Sequence, residues 1–479
     1  MDFASTAVAL SLALVLAVVV VRHRAQKLCD KNKRYHPIAG TVVHPLINFP
    51  SLHHYMTELA CKYKTYRMLD LFKGAVYTAD PANVEYVLKT NFTNYGKAMG
   101  SSQWTGEKWQ HQRKVMSAEF STKVVRDFSS AVFKTNAVKL AGIIYEAATS
   151  NQAIEIQDLF MKSTLDSIIK ILLGNELDSI SGKDDEGNRF SHAFESGQEA
   201  TLYRLFDMFW KIKRFLNIGK EAELKKNIKE IDQFVNKLIK SKIETIQNPE
   251  DKLSELPYMH CLASRLKKRD LVSRRLEIED TDPKYLRDMV LCVTVAGQDT
   301  TASSLSWFVY MMCKHLHIQE KIAQEVREVI NLKDNSSVDE LAASLDQEAL
   351  NKMQYLHACS FNVKKGDMVV YQPYAMGRMK SLWGDDAEEF MPERWLDESG
   401  LFQDESPYKF IAFSAGPRIC LGKEHAYTQM KIFSAVLLGS YIFKLADEKK
   451  MVAYKTMVTL PIDGGLYVNA SPRLWRARP

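Results

Sequence analysis

Apolar residues recur at helical spacing through most of the stretch from 110 to 330, as in Leu159, Ile168 and Leu172, or Ile228, Ile231, Phe234 and Leu238. Short runs with strand character stand towards both ends of the chain: Gly74–Ala79 (GAVYTA), Asp367–Tyr371 (DMVVY) and Leu466–Asn469 (LYVN). The pattern predicts a mostly α fold with small β-sheets at its periphery. One helix is predicted to run far beyond the usual three or four turns. Asp282 before Pro283 is an N-cap and first-turn pair, and apolar periodicity continues to about Leu316 without another proline. At the rise of an α-helix that is on the order of 50 Å. Gln298 and Asp299 at its centre, among hydroxyl residues, argue against a membrane span and for a helix crossing the whole domain.

A different pattern opens the chain. Phe3–Val21 (FASTAVALSLALVLAVVVV) carries no charge and nearly spans a hydrocarbon core of about 30 Å. Only Met1 and Asp2 precede it, so it lacks the basic start of a cleaved secretory signal, and no small-residue cleavage site follows. Arg22, His23, Arg24, Lys27, Lys31, Lys33 and Arg34 come next, which by the positive-inside rule keeps the bulk of the chain in the cytosol. Residues 1–24 are therefore read as a single-pass transmembrane anchor and 25–50 as a proline-containing connector. Residues 51–479 are read as one domain, because no linker, repeat or low-complexity tract divides them.

Composition narrows the functional classes. The net charge of +6 comes from 64 basic and 58 acidic residues, too even a balance to argue for nucleic acid. Basic clusters such as Lys211, Lys213 and Arg214, or Lys267, Lys268 and Arg269, read as solvated faces. Seven cysteines are scattered without a CxxC pair, which disfavours a disulfide framework or a zinc site and suits a reducing compartment. Six of them read as small buried apolar residues; Cys420 does not.

Cys420 stands in Phe413-Ser-Ala-Gly416-Pro-Arg418-Ile-Cys420-Leu-Gly422, ahead of an apolar helix reaching about Leu438. Gly416 and Gly422 permit turns that side chains would block and let the backbone pass close beneath a flat cofactor. A cysteine at a helix start, with Arg418 two residues away, is placed where a thiolate is favoured. A buried cysteine in a glycine turn is the plain alternative, but five fixed positions in ten residues rarely coincide by chance.

In these residues the chain resembles the cytochrome P450 superfamily, from the anchor to beyond Cys420. TADPANVEYVLKTNF (78–92), GEKWQHQRKVMSAEF (106–120), AGQDTTASSLSWF (296–308), YAMGRMKSLWGDDAEEFMPERW (374–395) and AGPRICLGKEHAYTQMKI (415–432) are similar in wording to the plant fatty-acid ω-hydroxylase clan. The resemblance implies a P450 fold and heme b, with Cys420 as the axial ligand of its iron. It also implies electrons from NADPH through NADPH-cytochrome P450 reductase. The implied reaction inserts one oxygen atom of O2 into a long-chain fatty acid or similar lipophilic molecule, at the endoplasmic reticulum membrane. A thiolate ligand favours O–O cleavage. Phe413, Gly416, Arg418 and Gly422 belong by resemblance to the cofactor loop. Trp109 and Arg113, four apart and so on one helical face, match residues that hold the heme propionates. Asp299 and Thr300 match the pair that delivers protons during oxygen activation. Thr300 is also able to bond the carbonyl four residues back and loosen the helix there. Gly297, unfavourable in mid-helix, is expected to let the helix backbone approach the cofactor. A heme-thiolate isomerase or lyase acting on hydroperoxides is a rival reading; the intact Asp299–Thr300 pair speaks against it.

One family element is missing. Members carry a Glu-x-x-Arg whose two side chains pair with an arginine that here matches Arg394. Met353-Gln-Tyr-Leu-His-Ala358 resembles the start of that helix. Cys359-Ser360 then runs into Phe361-Asn-Val-Lys-Lys-Gly366-Asp367, which resembles the segment after it. Deletions are thus expected near 360–361 and near 96–105, as a splice variant or a faulty gene model would leave. The chain's Glu-x-x-Arg, Glu186–Arg189, falls in a polar stretch read as a surface loop. The excision predicts that Arg394 loses its partners and that the chain is a catalytically impaired P450.

Overall fold

The computed structural model describes residues 45, 47–69, 74–95, 109, 110, 113, 114, 117, 123–174, 176–182, 185–204, 207, 209–247, 283–331, 336–353 and 371–473. The anchor, most of the connector, all but Tyr371 of the strand expected over 367–371 and both proposed deletion points lie outside the described residues; Tyr371 forms a single parallel bridge with Thr78. Among the described residues no helix is long and apolar enough to cross a membrane.

Described helices and strands follow in chain order: α1 (Leu52–Tyr63), β1 (Thr65–Leu69), β2 (Gly74–Thr78), α2 (Pro81–Glu85), α3 (Lys123–Thr149), β3 (Ile154–Glu155) and α4 (Ile156–Leu173). Then come α5 (Asp185–Tyr203), α6 (Trp210–Leu216), α7 (Lys220–Gln247), α8 (Pro283–Lys314), α9 (Leu316–Val329), α10 (Val338–Ser344) and α11 (Gln347–Lys352). Two short helices, α12 (Pro373–Met376) and α13 (Lys380–Trp383), precede α14 (Lys423–Ser440), β4 (Tyr441–Leu445) and β5 (Tyr467–Pro472). The two sheets are small and antiparallel, β1–β2 and β3–β5–β4. This is the mostly helical architecture expected. β2 and β5 fall where short strands are predicted, whereas β1, β3 and β4 lie outside the predicted strands.

Local chemistry sets the boundaries. The Glu155 carboxylate accepts from the N–H groups of Gln157 (3.1 Å) and Asp158 (2.6 Å), which opens α4, and Gly174 closes it in the left-handed conformation at φ 74°. A Ser337–Glu340 capping box starts α10, and the Asp346 carboxylate starts α11. α8 begins at Pro283 and ends at Lys314, the long helix the periodicity predicted. Its length buries it between layers. On one side Leu305, Phe308 and Met312 join Phe160, Phe433 and Phe443 in the largest core cluster. On the other, Val290 and Val293 meet Leu165, Phe190 and Phe234. Each such large side chain contributes about 1.5–3 kcal/mol on burial. Of the periodic positions read on α7, Ile231, Phe234 and Leu238 are buried, but Ile228 is exposed.

A second correction concerns Glu186–Arg189. These residues lie within the first turns of α5 rather than in a loop, and Glu186 pairs with Lys237 of α7 at 2.6 Å. The polar run from 185 to 189 is a helix start.

Candidate active site

The loop before α14 is closed by its own backbone. The N–H of Cys420 donates to the carbonyl of Phe413 at 2.8 Å. Ser414 and Gly416 adopt φ of 59° and 57°, and Gly416–Arg418 form one 3-10 turn. α14 starts at Lys423 with Gly422 as its N-cap, so Cys420 precedes the helix by three residues. The loop is braced from below and from the side. Phe413 packs on Tyr427 with ring centroids 4.8 Å apart, and the hydroxyls of Tyr371 and Ser414 are 3.1 Å apart.

Gly416 is fixed by a neighbour that the sequence did not reveal. A Cβ there would stand 2.2 Å from the backbone oxygen of Leu88, in a backbone conformation that side chains already disfavour. At Gly422, with φ −86°, a Cβ would meet the Cys420 sulfur at an ordinary 3.9 Å. Gly416→Ala is therefore expected to lower stability by at least about 2 kcal/mol, and Gly422→Ala by less than about 1 kcal/mol. Chemical denaturation of the two variants gives the comparison, and equal losses would show that Leu88 does not set the loop.

Two arginines converge beside Cys420. Arg113 Nη2 donates to the carbonyl of Ile419 at 2.6 Å. The Arg418 guanidinium lies 3.6 Å from the ring centroid of Trp109, with Arg113 at 5.8 Å from the same ring. Burial, then the neighbouring Arg113, pull the Arg418 pKa down. Burial likewise lowers Arg113, while Cys420 opposes the shift. Two like charges on one indole, next to a sulfur, form a donor set for a flat group bearing carboxylates and a thiolate-seeking metal.

On α8 the residues part company. Asp299 is 2 % exposed, and its Oδ2 accepts from the Gln198 amide of α5 at 2.8 Å and from the Thr459 hydroxyl. Thr300 is half-buried, and its hydroxyl donates to the carbonyl of Ala296 at 2.7 Å, the back-bond expected. A stripe at four-residue spacing, Cys292, Ala296, Thr300 and Ser304, is left at least partly open while Gln298, Asp299, Thr301 and Ala302 are buried. The partly open positions thus share one face of α8. α8 in turn packs on α14, the helix that the Cys420 loop launches.

Gly297 requires a correction. A Cβ there would come within 2.8 Å of Ile168 on α4, so its missing side chain admits a neighbouring helix rather than a cofactor. Gln198, Thr459 and Leu88 escaped the sequence reading. The first two are ordinary polar residues far from the motifs, and Leu88 contributes only its backbone oxygen.

Arg394 is not stranded. Its Nη1 donates to the Trp383 carbonyl at 2.7 Å and to Asp386 Oδ1 at 3.0 Å, and its Nη2 to the Asp386 carbonyl at 2.8 Å.

The family model for cytochrome P450 matches residues 33–360 and 359–468 of this chain, in two stretches that meet at 359–360. The chain is similar to cytochrome P450 704C1 of Pinus taeda, 42% identical over 92% of this chain and 93% of that protein. It is also similar to cytochrome P450 704B1 of Arabidopsis thaliana, 36% identical over 97% and 100%. Cytochrome P450 94A1 of Vicia sativa is 30% identical over 84% and 82%. Alignment with the Arabidopsis protein runs to 530 positions, more than the 479 residues of this chain, so that protein carries stretches without a counterpart here.

Proposed function

The chain belongs to the cytochrome P450 family, and we propose that it hydroxylates a long-chain fatty acid or similar lipophilic molecule at its ω end, from the cytosolic face of the endoplasmic reticulum membrane. The family uses heme b and draws its electrons from NADPH through a reductase. The observation that carries the reading is the convergence of Arg113, Arg418 and Trp109 beside Cys420. The substrate class is supported by the segments similar to plant ω-hydroxylases. The anchor at 1–24 and the cationic residues behind it support the location.

In this assignment Cys420 would hold the heme iron, while Arg113, Arg418 and Trp109 would hold the cofactor's carboxylates. When bound, heme would supply the activation of O2 for insertion of one oxygen atom into a C–H bond, the other leaving as water, with two electrons and two protons consumed. The chain's own residues handle those protons. Thr300 carries one on Oγ1, resting on the Ala296 carbonyl, and rotation about χ1 turns it towards the open stripe. Asp299, one residue before, is the carboxylate that replenishes it through water. Gln198 and Thr459 hold the Asp299 Oδ2 on the buried side of α8.

Turnover of a long-chain fatty acid by the full chain, reconstituted with reductase and NADPH, tests the proposal. ω-Hydroxylated product is expected, and none with any lipophilic acid would remove the substrate class. Thr300→Ala should lower product formed per NADPH by about 10-fold or more and raise peroxide to match, because proton supply fails after electrons arrive. An unchanged ratio takes Thr300 out of the mechanism.

A further inference from the structure

Residues 453–463 form a hairpin that fastens several parts of the fold to one another. Its sides are joined by Lys455 N–H to the Pro461 carbonyl and Asp463 N–H to the Ala453 carbonyl, both 2.8 Å, around a Tyr454–Ile462 bridge. The Tyr454 hydroxyl accepts from the N–H groups of His53 (3.0 Å) and His54 (3.3 Å) in the first turn of α1. Ser51, the N-cap residue of α1, gives no side-chain bond, so a tyrosine from the far end of the chain does the capping. Tyr454 also lies 3.1 Å from His54 Nδ1, and Tyr374 lies 3.1 Å from His54 Nε2. Thr456 donates to the Pro50 carbonyl at 3.1 Å, which ties the end of the connector to the same hairpin.

The other side of the hairpin reaches the centre of the molecule. The Trp307 indole on α8 donates to the Leu460 carbonyl at 2.6 Å, and Thr459 donates to the Asp299 carboxylate. Lys455 pairs with Glu195 (3.2 Å) and Glu199 (3.6 Å) of α5, the helix whose Gln198 shares the Asp299 oxygen. Gln157 of α4 exchanges bonds of 2.7 and 3.0 Å with the backbone of Ile462.

We infer that the hairpin is a strut in which Thr459, with Gln198, positions the Asp299 carboxylate, and Tyr454 makes that position depend on the N-terminal end of the domain. This rests on Asp299 being the proton-handling carboxylate proposed above. A buried carboxylate needs donors, and here they come from two elements that both meet at the hairpin. Displacement of α1 or the connector moves Tyr454 and Thr456, and the short bonded hairpin carries the motion to Thr459. The connector follows directly on the residues read as the membrane anchor, and its last residue, Pro50, is bonded to the same hairpin that holds the Asp299 carboxylate.

Amide hydrogen exchange on the full chain tests the strut without needing turnover. Tyr454→Phe should speed exchange in residues 52–56 and also in residues 294–302 of α8, by about fivefold, the factor one hydrogen bond carries. Thr459→Val should do the same in reverse, since coupling between two sites is reciprocal, and Thr459→Ser should restore the parent rates. Thr459→Val should also lower product per NADPH and change its pH profile, with Thr459→Ser again restoring both. Confinement of the Tyr454→Phe effect to residues 52–56 would overturn the strut. A parent chain that lacks the thiolate-ligated carbon monoxide spectrum would instead sink the heme reading, and the exchange result would still decide the coupling.

Discussion

Cys420→Ala is expected to abolish the thiolate-type absorption spectrum of the reduced, carbon monoxide-bound protein while leaving most of the fold intact. Among the described residues the other cysteines are poor substitutes. Burial pushes the Cys313 thiol up to about 12, so it stays protonated. Cys61 is exposed, and both burial and Glu388 raise its pKa. Cys292 lies mid-helix on α8, where no loop presents its sulfur and the helix backbone bonds are already made. Among the described cysteines Cys420 alone combines partial exposure, a backbone turn closed on the Phe413 carbonyl and the Arg113–Arg418 pair at its side. Because the side chain is only half-buried, truncation should cost about 1 kcal/mol or less in unfolding free energy. Loss of the spectrum with a drop of no more than about 1 kcal/mol in unfolding free energy is the expected pair of results. A spectrum that survives the substitution would show that Cys420 is not the axial ligand.

Periodicity carried far for elements whose environment is uniform along their length. α8 runs from Pro283 to Lys314 because a proline start and unbroken apolar spacing are local properties, legible in the sequence. The same holds for α14 and for the Trp109–Arg113 spacing. What was not legible depends on partners distant in the chain. β3 is two residues long and exists only because β5 lies alongside. Gly297 was read from its position near the centre of α8, yet the atom it makes room for belongs to Ile168. Asp299 and Thr300 are adjacent in sequence but 100° apart around a helix. One turns inward to Gln198 and Thr459, and the other lies on the open stripe. A motif names both residues and is silent about that division.

Arg394 shows how tertiary structure absorbs a lost partner. Its match to a three-member ion network implied an uncompensated buried charge, which typically costs about 3–5 kcal/mol. Asp386 and two carbonyls take up the guanidinium instead, so that cost does not arise. The buried cation poorly served near the cofactor loop is Lys431 rather than Arg394.

Restoring a relative's residues at the 359–360 junction is expected to raise heme bound per polypeptide several-fold over this chain at matched expression. The match to the family breaks there, and α11 ends at Lys352, seven residues earlier in the chain. Lys431 on α14, eleven residues after Cys420, faces α11 and is 6% exposed. Its ammonium has three protons to donate, and its acceptor is the Leu350 carbonyl at a long 3.4 Å. Burial pulls its pKa down to about 8, with Glu424 and Glu325 opposing. The unfolded chain, with an ordinary lysine pKa of about 10.4, then binds more protons than the folded one between those values. Stability consequently rises with pH from about 8 to about 10.4, by on the order of 3 kcal/mol, and the full deficit is present at neutral pH. That is a large share of a domain's usual 5–15 kcal/mol, and it falls on the helix that the Cys420 loop launches. Acceptors returned with the missing segment should flatten this pH dependence and hold the loop for heme. Lys431→Met separates the effects: it should stabilise the present chain at pH 7 and destabilise the restored one. Denaturation at pH 7 and pH 10, with heme measured per polypeptide, reads both. Equal heme content in the two chains, together with the same pH slope, would show that the missing segment does not support the cofactor loop.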